Sequence, residues 1–104
     1  MLVLVYITCS NEKESEKIGS YLVENRLCSC ANIIKEIDSI YWWDKELEKD
    51  KESLLICKTL EEKLDEVISK VKEIHSYDNP AILAIPIIKA SNTYKKWVAD
   101  EINK

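Results

Sequence analysis

Glycine occurs once in these 104 residues, proline twice and histidine once. A lone Gly19 cannot build a phosphate-cradling loop, which needs several glycines at fixed spacing. The segment Thr8-Cys9-Ser10-Asn11 after the first apolar run also has no arginine, which removes an acylphosphatase-type phosphate cradle. One histidine excludes an all-histidine metal cluster within the chain. The four cysteines, at 9, 28, 30 and 57, do not form the two Cys-x-x-Cys pairs of a structural zinc site. No stretch reaches the ~18 apolar residues of a membrane span, and no basic region precedes Met1-Leu2-Val3-Leu4-Val5. Basic excess is missing as well: a net charge of −4 and a pI near 5.1 argue against a nucleic-acid partner. No motif pairs a nucleophile with a base, so the chain does not read as an enzyme.

What is present reads as one cytoplasmic domain over residues 1–104. Hydrophobic residues at 46% and charged residues at 33% make an ordinary globular balance. With no export signal, the cysteines are expected to be reduced and mostly buried as small hydrophobes. Cys28 and Cys30 would share one face if their segment is a strand.

Leu2 to Thr8 is a continuous apolar, β-branched run, which predicts a strand at a sheet centre. Asn11 with Glu14 predicts a helix start, and Ile18, Tyr21 and Leu22 follow at helical spacing. Gly19 falls inside that helix, where close packing against a sheet is the expected reason. From Cys28 to Trp43 nothing breaks a strand. If Arg26 to Trp43 is extended throughout, it spans roughly 55–60 Å, whereas a compact chain of this length is about 35 Å across. Such a strand must bend, bulge or reach a neighbouring chain. A reversal at Asp44-Lys45 returns the chain through Leu54 to Thr59, with Glu48 to Lys51 as a competing turn. Thr59-Leu60-Glu61-Glu62 reads as a capping box that opens an apolar helical stripe at Leu60, Leu64, Val67, Ile68, Val71 and Ile74. Ala81 to Ile88 is a last strand interrupted by Pro86, and Ser91 or Asn92 caps a final helix. The order is α+β: a ferredoxin-like βαββαβ sandwich with an extra C-terminal helix and a long hairpin between its second and third strands.

Five segments then stand in order: Cys30-Ala31-Asn32-Ile33-Ile34, Ser39-Ile40-Tyr41-Trp42-Trp43, Leu55-Ile56-Cys57-Lys58-Thr59, His75-x-Tyr77-x-x-Pro80, and Tyr94-x-x-Trp97. Together they resemble the CutA divalent-cation tolerance family over nearly the whole chain. The resemblance implies a homotrimer that pairs long hairpins across subunits and binds divalent cations, Cu(II) above all. Cys30 and His75 match the family's cysteine and histidine. Ile7 and Ile74 stand where some bacterial members carry a metal-binding cysteine and a second histidine, and Cys9 lies two residues past the first of these places.

Three residue groups follow. His75, Cys30 and Asp78 are the expected metal ligands, since imidazole and thiolate suit copper and its neighbours. The alternative for His75 is a cap on the C-terminus of the second helix. Lys58, Thr59 and Tyr77 form an expected ligand-binding set, with a lysine beside free helix N–H groups able to hold an anion. Tyr41, Trp42, Trp43 and Trp97 are expected at a subunit interface, which favours aromatics. The acidic run Glu46, Glu48, Asp50, Glu52 would bind divalent ions weakly through oxygen ligands, but the interleaved Lys45, Lys49 and Lys51 favour a solvated charged face. The expected function is divalent cation binding in cation tolerance and the response to metal ion. The alternatives are a trimeric small-molecule or anion sensor resembling nitrogen-regulatory proteins, or a trimerisation scaffold.

Overall fold

A computed structural model describes residues 1–104. Its elements are β1 (Leu2–Cys9), α1 (Glu12–Glu24), β2 (Cys30–Trp43), β3 (Glu46–Leu60), a 3-10 turn (Glu61–Lys63), α2 (Leu64–Ile74), β4 (Ile82–Pro86) and α3 (Asn92–Ile102). One antiparallel sheet runs β2-β3-β1-β4, so the apolar β1 lies inside it, as its composition predicts.

Side chains alternate between faces along each strand. Val5, Ile7, Cys9, Leu55 and Cys57 point to one face and form the core with Ile18 and Leu22 of α1 and Val67 and Val71 of α2. Leu4, Tyr6, Ile56, Leu83 and Ile85 register together on the other face. Only one end of that face is covered, where Val98 and Ile102 of α3 pack on Leu2.

β1 stops at the Cys9–Ser53 pair, and beyond it β2 and β3 continue alone from Ile37–Glu52 to Trp43–Glu46. This two-stranded arm makes the molecule 45 × 25 × 23 Å. Its register shifts between Ile34 and Ile37, so the over-long strand is both bulged and projecting. At the bulge Ser53 Oγ donates to the Ile34 carbonyl and Ser15 Oγ donates to Ser53 Oγ, at 3.1 and 2.8 Å, which satisfies the groups the shift would strand.

Asp44 and Lys45 turn the arm with φ of 49° and 67°, so the competing reversal at Glu48–Lys51 does not occur. Both turn residues lie in the left-handed region that a two-residue primed turn demands. Lys45→Gly should therefore stabilise the fold by about 1 kcal/mol in urea unfolding, because glycine carries no Cβ penalty there. An unchanged midpoint would mean that Lys45 gains from contacts what its backbone loses.

Asn11 caps α1 as expected, accepting from Glu14 N at 2.9 Å, but Glu14 returns its bond to Ser10 N. The capping box at Thr59 does not form. Thr59 is the buried end of β3, its hydroxyl donates to the Leu27 carbonyl at 2.6 Å, and the 3-10 turn starts two residues later without a side-chain cap. Cys28 and Cys30 do not share a strand face either, because β2 begins only at Cys30. Cys28 is core, while Cys30 is half-buried on the opposite face.

Candidate functional site

The arm is where charge collects. Residues 36–52 hold seven carboxylates and three lysines, so the entire net charge of −4 resides there and the remainder of the chain is balanced. Period-two alternation sorts these charges by face. Glu46, Glu48, Asp50 and Glu52 register against Trp43, Tyr41, Ser39 and Ile37, which puts all four carboxylates on one face with no lysine among them. Lys49 and Lys51 fall on the other face, where Lys51 pairs with Asp38. The interleaving seen in the sequence is thus undone by the pleat. Two tyrosines fix part of the row: Tyr41 OH donates to Asp50, and Tyr77 OH donates to Glu52 at 2.7 Å. The bond to Asp50 pushes the Tyr41 hydroxyl up to about 12, so it stays a donor at neutral pH.

His75 lies at the base of the arm, joined to Glu52 through Tyr77. It follows the last residue of α2, its amide closing the helix onto the Val71 carbonyl, and its ring is buried. Nε2 lies 2.8 Å from the Thr8 carbonyl, and Nδ1 accepts from Tyr77 N–H at 3.0 Å. This pair of bonds requires the neutral tautomer with hydrogen on Nε2. Glu14 Oε1 lies 3.9 Å from Nδ1, and Cys9, Glu14 and His75 together place a thiol, a carboxylate and an imidazole within 4.8 Å of one another.

The sheet does not bring Cys30 to this place. Cys30 pairs with Lys58, which pairs with Leu4, four residues along β1 from Thr8. That separation is about 13 Å in the strand direction alone. Cys30 Sγ lies 3.6 Å from Tyr94 OH. Lys58 Nζ beside it donates to Asn32 Oδ1 at 2.8 Å and sits 5.9 Å from the Tyr94 ring centroid. An ammonium there disfavours a second cation. Asp78 is exposed in the α2–β4 connection. The expected trio of His75, Cys30 and Asp78 therefore does not converge within one protomer.

Against known proteins, the family described as CutA1 divalent ion tolerance protein matches residues 3–101. The chain belongs to this family. A divalent-cation tolerance protein CutA from Pyrococcus horikoshii is 37% identical over 99% of this chain and 100% of its own length. A chloroplastic CutA 1 protein from Oryza sativa is 35% identical over 92% of this chain, which spans only 54% of that relative. Among solved structures, a periplasmic divalent cation tolerance protein CutA from Archaeoglobus fulgidus superposes with a TM-score of 0.95 at 37% identity, covering 98% and 99% of the two chains. The ferredoxin-like reading and the CutA resemblance thus both hold.

On this CutA1 frame the other expected residues separate by what they already hold. Thr59 is committed to Leu27 and Tyr77 to Glu52 and the His75 ring, while Lys58 is held only by an exposed bond to Asn32, the most readily exchanged of the three. Trp42 and Trp43 stand at the arm's tip, 73% and 67% exposed, with Tyr41 beside them. Trp97 is also exposed and stacks on Tyr94 at 5.6 Å. No helix is long and apolar enough to cross a membrane. Sequence reasoning missed the segregation of the carboxylates, although counting alternate residues along β3 would have found it.

Proposed function

We propose that this CutA1-family chain acts in divalent cation tolerance and the response to metal ion as a homotrimer that binds divalent cations, Cu(II) most tightly. The lysine-free row Glu46, Glu48, Asp50, Glu52 carries this reading. Neighbouring carboxylates on one strand face stand roughly 6.7 Å apart, within reach of a shared cation through their side chains. Divalent ions take oxygen ligands readily, and the ordering of first-row metals puts copper first at almost any such site. We put this row in place of His75, Cys30 and Asp78 as the ligand set, because within a protomer register carries Cys30 away from His75, whereas the four carboxylates already share one face.

Assembly is supported by the uncovered sheet face. Tyr6, Ile34, Ile56, Leu83 and Ile85 leave a contiguous apolar surface, of a kind that marks an interface. The exposed tryptophans of the arm supply anchors of the type such interfaces use. Light scattering should return three times the 12.1 kDa chain mass, and a 12.1 kDa particle at micromolar concentration would remove the trimer. Four unpaired thiols suit a reducing compartment, so we place the protein in the cytoplasm, which cell fractionation tests.

Calorimetric titration with Cu(II) tests the row. The combined variant Glu46→Gln, Glu48→Gln, Asp50→Asn should bind at least about tenfold more weakly, since charge count sets affinity at oxygen sites. Cys30→Ser should change little. Equal affinity in the triple variant and the wild type would rule the row out.

A further inference from the structure

Cys9, Glu14 and His75 carry the donors that a borderline cation prefers, and they stand closer together than any other such group in the fold. Their bonding nonetheless leaves no room for one. Glu14 Oε1 accepts from Ser10 N at 2.8 Å, Ser10 Oγ at 3.0 Å and Ser76 Oγ at 3.0 Å, while Oε2 accepts from Ser76 N at 2.8 Å. His75 spends one nitrogen on Thr8 and the other on Tyr77. Cys9 is fully buried, and burial pushes its thiol up to about 11, away from the thiolate a metal needs. No buried side-chain polar atom of the chain is left without a partner.

A cation could reach His75 only at Nδ1, because Nε2 is turned to the Thr8 carbonyl. Binding there would evict the partly buried Tyr77 amide and strip from Glu14 the bonds of Ser10 and Ser76. We infer that Cys9, Glu14 and His75 form a clasp, tying the β1–α1 junction to the connection between α2 and β4, and that the bonds of this clasp exclude the cation. Ser10, Ser76 and Tyr77 are its latches. The inference stands whether or not the arm binds cations.

The test uses the full-length protein labelled with nitrogen-15 and carbon-13, and zinc(II) as a diamagnetic probe. Long-range spectra of the single histidine should show hydrogen on Nε2, and neither ring resonance should move with zinc. Cys9→Ser should bind zinc and Cu(II) within about twofold of wild type, since removing a genuine ligand typically costs far more. A zinc-dependent shift at His75 Nδ1, or a loss of about tenfold or more in Cys9→Ser, would overturn the clasp. Should Cys9→Ser fail to fold, the wild-type spectra decide alone. If carboxylate resonances of the arm also stay unmoved, the function proposed above fails while the clasp stands.

Discussion

Glu14→Gln is expected to lower stability by about 2–3 kcal/mol at pH 7 and to remove much of the acid limb of the stability curve. Burial by itself would raise this carboxyl. The backbone and hydroxyl donors of Ser10 and Ser76 reverse that effect and carry it from the usual 4.5 down to about 2. A carboxylate depressed in this way contributes fully above its unfolded value, and the contribution is lost as pH falls through the folded one. The wild type should therefore lose this increment between about pH 4.5 and 2, with the two proteins converging at the acid end. The side chain is only 11% exposed, so solvent screening takes a small share. Glutamine keeps the shape but replaces one acceptor oxygen with an amide that donates, turned toward groups that also donate. Urea unfolding at pH 7, 5 and 3, at one protomer concentration because the proposed trimer couples assembly to folding, measures the difference. Parallel pH profiles for the two proteins would show that the carboxylate's charge is not what the serines hold.

How much of this was legible depended on the range of the interaction. Leu2 to Thr8 and the stripe from Leu60 to Ile74 announce their elements because burial imposes a period on neighbouring residues, although Leu60 proves to be the last residue of β3 and α2 starts at Leu64. Asp44-Lys45 was legible for the same local reason, and the excess length of the second strand foretold the bulge and the arm. Thr59 misled because its hydroxyl is claimed by Leu27, 32 residues away, and a local capping pattern cannot register that competitor. Cys30 and His75 looked like partners because both matched one family's motifs, but strand register sets their distance. The clasp was illegible: Cys9, Glu14 and His75 meet only once β1, α1 and the residues after α2 have docked.

Gly19→Leu is expected to destabilise the chain by about 2–4 kcal/mol, and Leu55→Ala by a similar 2–5 kcal/mol. A Cβ placed on Gly19 would lie 3.1 Å from Leu55 Cδ1 and 3.2 Å from Ala31 Cβ, so α1 already touches the sheet there. Ala31 is fixed by the ladder of β2 and cannot withdraw. Leu55 sits fully buried in the centre of the core, where neighbouring side chains limit its retreat. Glycine in mid-helix costs about 1 kcal/mol relative to alanine. Gly19→Ala therefore sets that gain against a contact a few tenths of an ångström too short. The two substitutions must then couple. In a Leu55→Val background the nearer of the two tight contacts is gone and only Ala31 Cβ at 3.2 Å remains, so Gly19→Ala should be more favourable than in the wild type by about 0.5–1 kcal/mol. A double-mutant cycle by urea unfolding isolates this term. If Gly19→Ala has the same effect in both backgrounds, the Leu55 contact is not what keeps the chain's one glycine in its first helix. Contact with the Ala31 Cβ would then be the remaining cause, and Ala31→Gly would be the substitution that releases it.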